Sequence, residues 1–225
     1  MWNIQEMKER GKAAFKSNYW PCFFVALLMG LFTGGVAASS RTAGSTEKLQ
    51  QLIQSGDKTM LIVFFSTFMI ASAILVVFKI FVVNPIEVGG AAFFAENTEA
   101  GPAPFKTIGK GFQNYGHTFA VLFMRDLYLV LWMLLFIVPA FIKMYSYRMV
   151  PYILAEHPEL SATEVITRSR EMMNGNKWQA FKMDLSFLGW ILLGILTLGL
   201  VNIFWTAPYM ESAQAALYLK LRDKT

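Results

Sequence analysis

Long runs without a charged residue alternate with short polar stretches along this chain. The charge-free runs cover residues 17–40, 59–78, 127–142 and 185–210. A helix rises about 1.5 Å per residue, so about 20 apolar residues cross the roughly 30 Å hydrocarbon core of a bilayer. The pattern predicts membrane-spanning helices, beginning with residues 20–38 and with residues 59–78, the second of which continues to Pro85.

The two later runs allow two topologies. If each run forms one span, the chain crosses four times and a basic segment, residues 156–182, lies outside the cell, against the positive-inside rule. If the chain turns at Pro139 and near Gly199, each run becomes a hairpin. Four further spans then cover residues 118–138, 140–156, 185–198 and 200–219. We therefore predict an all-α membrane protein of about six transmembrane helices.

The distribution of basic residues favours the six-span topology, with both termini in the cytoplasm. It places three basic residues outside, Arg41, Lys48 and Lys58. Thirteen lie inside: Lys8, Arg10, Lys12, Lys16, Lys106, Lys110, Arg168, Arg170, Lys177, Lys182, Lys220, Arg222 and Lys224.

An internal repeat also favours six spans. The sequence Trp-Met-Leu-Leu at 132–135 precedes a Pro-Tyr pair at 151–152, and Trp-Ile-Leu-Leu at 190–193 precedes another at 208–209. Within a single domain, 1–225, we predict three hairpin units, each preceded by an interfacial amphipathic helix. The units cover residues 1–96, 105–156 and 161–225.

The clearest interfacial helix follows Ser161. Ser161 and Glu164 have the spacing of a capping box, and Gly175 can end the helix. Val165 and Ile166, with Met172 and Met173, are expected to anchor the helix in the bilayer.

Composition supports a lipid environment. Hydrophobic residues make up 55% of the chain and charged residues only 16%, whereas soluble domains carry about 25% charged residues. The net charge of +5 arises from Lys and Arg beside apolar runs, which favours anionic lipid headgroups as partners over nucleic acid. The N-terminus resembles a secretory signal peptide, but its long basic region contains Glu6 and Glu9, which argues against cleavage.

Several charged residues fall within or at the edges of the predicted spans. A charge in a membrane is costly and usually faces a partner or water. We expect an intramembrane cluster near the cytoplasmic face, and long side chains that reach the interface are the alternative. Its candidates are Lys79, Glu87, Arg125, Asp126, Lys143 and Arg148. Arg125 and Asp126 are adjacent, point about 100° apart on a helix, and are expected to find separate partners.

Four prolines are candidate hinges: Pro85, Pro139, Pro151 and Pro208. Proline removes a helix hydrogen bond, so each is either a packing kink or a flexible point. The candidate lipid-headgroup contacts are Arg168, Arg170, Lys177 and Trp178. The simpler interpretation, that they only hold the interfacial segments at the headgroup level, explains the same residues and is favoured over specific lipid recognition.

Motifs of catalysis and metal binding are absent from the sequence. One cysteine, Cys22, excludes an intrachain disulfide, and two histidines leave too few ligands for a Cys/His zinc site. No HExxH, GxSxG, P-loop or CxxC occurs. We expect no catalytic residue, no metal and no cofactor, and no enzymatic activity.

Nearly the whole chain, including residues 12–20, resembles a known bacterial family, and the resemblance is most specific in the C-terminal half. Tyr147 with residues 151–158, Ser-Ala-Thr-Glu at 161–164, residues 169–175, residues 185–190 and Pro208-Tyr209 are similar to the integral membrane family catalogued as domain of unknown function 975. Ala140 departs from that pattern, where the family has Gly. The resemblance implies a multi-pass protein of the bacterial cytoplasmic membrane and carries no established activity.

Three function classes remain, and the third, an intramembrane enzyme, is the least favoured because no motif supports it. The first is an accessory, scaffold or lipid-interacting membrane component, whose partners are membrane lipids, anionic ones above all, and other membrane proteins. The alternative is a small transporter or channel component with a polar path near Arg125 and Asp126.

Overall fold

A computed structural model describes residues 2–33 and 58–224 of this chain. Within these residues the fold is helical throughout and contains no β-strand, which confirms the all-α prediction there. The end of the first predicted span and the predicted external loop before Lys58 lie outside the described residues.

Eleven α-helices make up the described part of the chain. They are α1 Ile4–Ser17, α2 Tyr19–Thr33, α3 Lys58–Phe78, α4 Asn84–Glu99, α5 Tyr115–Leu135, α6 Ile137–Ser146, α7 Val150–Glu156, α8 Ala162–Met172, α9 Lys177–Leu185, α10 Leu188–Leu196 and α11 Ala207–Arg222. Two π-helical turns, Lys79–Val83 and Asn202–Thr206, lead into α4 and α11, and a 3-10 helix, Phe105–Phe112, precedes α5.

One region of the molecule is packed like a soluble protein. Helix α1 buries Met7, Gly11 and Phe15, four residues apart, against α11. The approach is so close that a Cβ on Gly11 would lie 2.6 Å from the backbone of Ala213. On the outer side Lys220 pairs with Glu6 at 2.9 Å. Helices α4, α7 and α8 complete this core.

The other region exposes apolar side chains. Leu134 and Leu196 are each 79% exposed, and Ile137 is 77% exposed. Two of the described segments are long and apolar enough to cross a membrane: Tyr115–Leu135, and Lys177–Leu196 across the loose turn between α9 and α10. Only 22% of the most apolar stretch of each is buried, so they are not the core helices of a soluble domain. Six spans are not confirmed and stay a prediction.

One of the two predicted hairpin turns lies where the sequence predicts it, and the other lies three residues earlier. Leu198 and Gly199 have positive φ of 53° and 89°, so the chain reverses at Gly199, where the turn was predicted. The other break is not at Pro139. Phe136 is extended, with φ −157° and ψ 138°, and Pro139 lies in the first turn of α6. Proline is tolerated there because the first helical N–H groups lack a partner in any case.

The other three prolines share one structural position. Pro85, Pro151 and Pro208 are each the second residue of a helix, namely of α4, α7 and α11. A π-helical turn directly precedes Pro85 and Pro208, and such turns relax the regular hydrogen-bond ladder that proline interrupts. Their role as hinges stays a prediction.

Helix α8 confirms one expectation about its local structure and contradicts another. Ser161 accepts from the N–H of Glu164 while Glu164 accepts from the N–H of Ser161, the predicted capping box, and Gly175 follows with φ 73°. The bilayer-anchor expectation is wrong for Val165, Ile166, Met172 and Met173. All four are buried in the protein, since the apolar face of α8 packs on α5 and α7.

Candidate functional site

Charged side chains of three elements, the first π-helical turn, α4 and α5, meet around Arg125 on α5. Its guanidinium donates to both carboxylate oxygens of Glu87 on α4, at 2.6 and 3.0 Å. Asp126 lies 3.0 Å from the ammonium of Lys79 in the π-helical turn. The Arg125 side chain is only 9% exposed, so these ion pairs compensate a charge that water hardly reaches.

Arg125 and Asp126 also contact each other, contrary to the sequence-based expectation. The Nε of Arg125 donates to Asp126 at 2.9 Å, and an Nη lies 2.8 Å from the same oxygen. The arginine stem is long enough to fold back along the helix, so the 100° between neighbouring Cα–Cβ directions does not separate the two groups.

The remaining members of the predicted cluster have other partners. Arg148 donates to both carboxylate oxygens of Asp184 at 2.8 Å, and the hydroxyl of Tyr145 donates to the same carboxylate. Lys143 lies apart, with its ammonium 4.6 Å from the ring centre of Trp132. Sequence reasoning missed Asp184, although it stands at the edge of a charge-free run as Asp126 does.

A cavity of about 440 Å³ lies between Arg125 with its partners and Arg148. Helices α2, α4, α5, α6, α7 and α11 contribute to its wall, together with the turns beside them. Its charged lining residues are Lys79, Glu87, Arg125, Asp126, Arg148 and Glu211. Glu211 was not predicted, because the sequence does not show that α11 faces α4 and α7.

A second feature is an apolar groove between α6 and α9. Its volume is about 500 Å³, and nearly all of its wall is apolar. Ile137 and Phe141 line one side, while Trp178 and Phe181, whose rings stack at 5.3 Å, line the other together with Lys177. Trp178 is 68% exposed.

Three cations interact electrostatically near this groove, and one of them, Lys177, lines it. Lys143 on α6 lies close enough to Arg170 on α8 and Lys177 on α9 for their charges to act on it. Within residues 2–33 and 58–224, none of the three forms an ion pair with a carboxylate. We call these residues the basic cluster. Of the four candidate headgroup contacts, Arg168 lies elsewhere, at a surface hollow with Glu164 and Glu171.

A further ion-pair network joins α4, α7 and α11 at the C-terminal end of α11. Arg222 donates to Glu156 at 2.9 Å and to Glu99 at 3.2 Å, and the Tyr218 hydroxyl also donates to Glu156. The hydrogen bond from Arg222 lowers the pKa of Glu99 below its ordinary value. The network fixes the ends of α4, α7 and α11 and holds no unpaired group suited to a ligand.

Among the described residues, no three His, Cys, Asp or Glu side chains are arranged to hold a metal ion. The expectation that the protein binds no metal stays a prediction. The expectation that the protein is not an enzyme stays a prediction.

Comparison with known proteins gives one match. The family described as "Protein of unknown function (DUF975)" matches residues 111–225. No curated protein and no solved structure matches the chain.

Proposed function

We propose that this chain, which belongs to the DUF975 family, is an integral membrane protein that binds anionic phospholipids at the cytoplasmic side of a bacterial membrane. The basic cluster beside the apolar groove is the observation that carries the proposal.

The exposed apolar surface supports a membrane location. Monomeric soluble proteins rarely expose continuous apolar patches larger than a few hundred Å². Here the consecutive residues Leu134 to Val138 are all at least 62% exposed, and the turn residue Leu198 is 96% exposed. In contact with lipid chains, such side chains avoid the free-energy cost of exposing apolar surface to water. The ends of α1 and α11 are polar and ion-paired, and they are compatible with contact with water.

The basic cluster fits a phosphate group. Like charges in proximity repel, so three cations without carboxylate partners are stabilised when an anion lies between them. An acyl chain in the adjacent groove would contact Ile137, Phe141 and Phe181. Trp178 lines the same groove, and tryptophan side chains favour the headgroup level of a bilayer. Together they match the two parts of a phospholipid.

Orientation follows from the same residues. Arg170 and Lys177 are among the thirteen basic residues that the six-span topology places in the cytoplasm. The cytoplasmic leaflet carries anionic lipids, each nearby Lys or Arg contributing about 1 kcal/mol of attraction. A scaffold role toward other membrane proteins has no observation of its own and stays a prediction.

Quenching of Trp178 fluorescence by brominated lipid tests the proposal. We reconstitute the protein in vesicles of phosphatidylcholine and phosphatidylglycerol, with bromine on one lipid at a time, and isolate the Trp178 signal by difference with Trp178→Phe. We expect phosphatidylglycerol to associate at Trp178 about tenfold or more strongly than phosphatidylcholine, so that it is enriched there over its bulk fraction.

Two triple variants each remove three positive charges, one at the basic cluster and one elsewhere. Lys143→Gln, Arg170→Gln and Lys177→Gln combined should abolish the enrichment, whereas Lys12→Gln, Lys16→Gln and Lys106→Gln combined remove equal charge elsewhere and should preserve it. Equal enrichment in both triple variants would show that the attraction is diffuse and that the basic cluster is not a site.

The charged cavity favours a second candidate, a transporter or channel component. A polar cavity of about 440 Å³ that reaches Arg125 and Asp126 is what a polar path through the protein requires. Flux of ions or amino compounds into sealed proteoliposomes tests this function, and vesicles no more permeable than protein-free ones would contradict it.

A further inference from the structure

The charged residues that line the cavity around Arg125 are three cations and three carboxylates. Lys79 and Arg125 are matched by Glu87 and Asp126. Arg148 is matched by Asp184, which does not line the cavity. Glu211 is therefore the lining carboxylate without a matching cation.

Glu211 has no ion-pair partner in the part of the chain that the structure describes. Arg148 lies within electrostatic range of it, but its two Nη groups already donate to Asp184. Glu87 and Asp184 repel it. A half-buried carboxylate in these surroundings is stabilised only by an additional positive charge or by a proton.

The wall near Glu211 has the other features that ammonium recognition uses. Tyr147 and Tyr152 line the same cavity, and the faces of aromatic rings attract cations. Gln214, one helical turn after Glu211 on α11, adds an amide oxygen that can accept from an N–H group. Carboxylate, aromatic rings and amide together suit a primary ammonium group.

We propose that this cavity binds a ligand through a protonated primary amine, with Glu211 as its counter-ion. The volume of about 440 Å³ lies in the usual range of small-molecule sites, about 300–1,000 Å³. Lys79 at the rim, with its side chain 54% exposed, has N–H groups left to donate to a phosphate on the same ligand. The shared chemistry is therefore that of phosphoethanolamine, either free or as the headgroup of phosphatidylethanolamine.

Thermal unfolding of the purified protein tests the site with defined probes. We expect free phosphoethanolamine to raise the unfolding midpoint in detergent, or phosphatidylethanolamine to do so in nanodiscs of phosphatidylcholine. Stabilisation by the free compound identifies a soluble amine as the ligand class, and stabilisation by the lipid alone identifies the headgroup. Stabilisation by neither probe overturns the proposal.

The controls remove a charge, either from the probe or from Glu211. The N-acetylated form of each probe lacks the positive charge and should not stabilise. Glu211→Gln should fold, elute and unfold like the wild type without ligand but bind the amine about tenfold more weakly, because a charge-assisted hydrogen bond is lost. Glu159→Gln, at an exposed position, should bind normally.

Three results would contradict the site: equal binding by Glu211→Gln, equal stabilisation by the N-acetylated probe, or equal stabilisation by inorganic phosphate alone. The site is independent of the proposed phospholipid site. The triple variant at Lys143, Arg170 and Lys177 should therefore keep its response to the amine even if its phosphatidylglycerol preference is lost.

Discussion

Arg125 is held by two carboxylates from different parts of the chain. Glu87 belongs to α4, and Asp126 follows Arg125 on α5. With the guanidinium 9% exposed, loss of this one cation would leave two carboxylates close together and poorly hydrated.

We predict that Arg125→Gln lowers the free energy of unfolding by about 3–5 kcal/mol, the usual cost of removing one partner of a buried ion pair. The midpoint of thermal unfolding in detergent measures the effect. Arg168→Gln, which removes the same charge outside the cluster, should shift the midpoint little. Adding Glu87→Gln to Arg125→Gln should restore part of the loss, and a double variant as unstable as the sum of the single ones would contradict the coupling.

The sequence could indicate which residues belong to this cluster but not their pairing. Scarcity of charge singled out Lys79, Glu87, Arg125 and Asp126, because charges in apolar runs need compensation. Asp184 and Glu211 were missed although they border an apolar run as Asp126 does, because only the packing of α9 and α11 brings them near Arg148. Pairing depends on which helices are neighbours, and the periodicity of one helix does not contain that information.

At the scale of elements, α4 and the 3-10 helix approach each other without intervening side chains. A Cβ on Gly89 would lie 1.9 Å from the carbonyl oxygen of Ile108, and one on Gly111 would lie 1.9 Å from that of Pro85. Backbone cannot move aside as the end of a flexible side chain can.

We predict that Gly89→Ala costs about 3 kcal/mol of stability, the upper end of the usual range for overpacking, because the two elements must separate. Gly109→Ala is the matched control on the 3-10 helix, where an added Cβ meets nothing within 4 Å. Urea or thermal unfolding of both variants compares them. Similar midpoints would mean that the contact between α4 and the 3-10 helix is looser than the structure shows.

The capping box at the start of α8 gives a smaller effect. Ser161→Ala removes the acceptor for the N–H of Glu164 and should cost about 1 kcal/mol. Thr167→Ala, at an exposed position within the same helix, should not destabilise it. The difference between their unfolding midpoints checks the prediction, and a loss as large for Thr167→Ala would show that the effect does not come from the capping box.

At the scale of elements, three predictions that rest on short local sequence patterns agree with the structure. The capping box, Gly175 and the reversal at Gly199 depend on a few neighbouring residues, and the structure has all three. The break at Phe136 was misplaced by three residues because proline fits the first turn of a helix as well as it ends one. The burial of Val165 and Ile166 needed knowledge of α5 and α7, which no local pattern provides.

At the scale of the whole molecule, the residues that the structure describes form a packed polar end and an apolar, exposed end. Helices α1 and α11 make the first, and the end of α5, the start of α6 and α10 make the second. A protein that lies partly in a bilayer and partly in water requires such a division between apolar and polar surface. The basic cluster at α6, α8 and α9 then belongs in the cytoplasmic leaflet if residues 156–182 face the cytoplasm.

Labelling of single cysteines in cells tests this arrangement most directly. Cys22 is replaced by Ala, and cysteine is introduced by Asn174→Cys, an exposed position after α8, or by Ser45→Cys in the loop that the sequence predicts to be external. With a membrane-impermeant maleimide, we predict that Ser45→Cys reacts in intact cells and that Asn174→Cys reacts only after permeabilisation. Equal labelling of Asn174→Cys in intact cells would place the basic cluster outside and contradict the six-span arrangement.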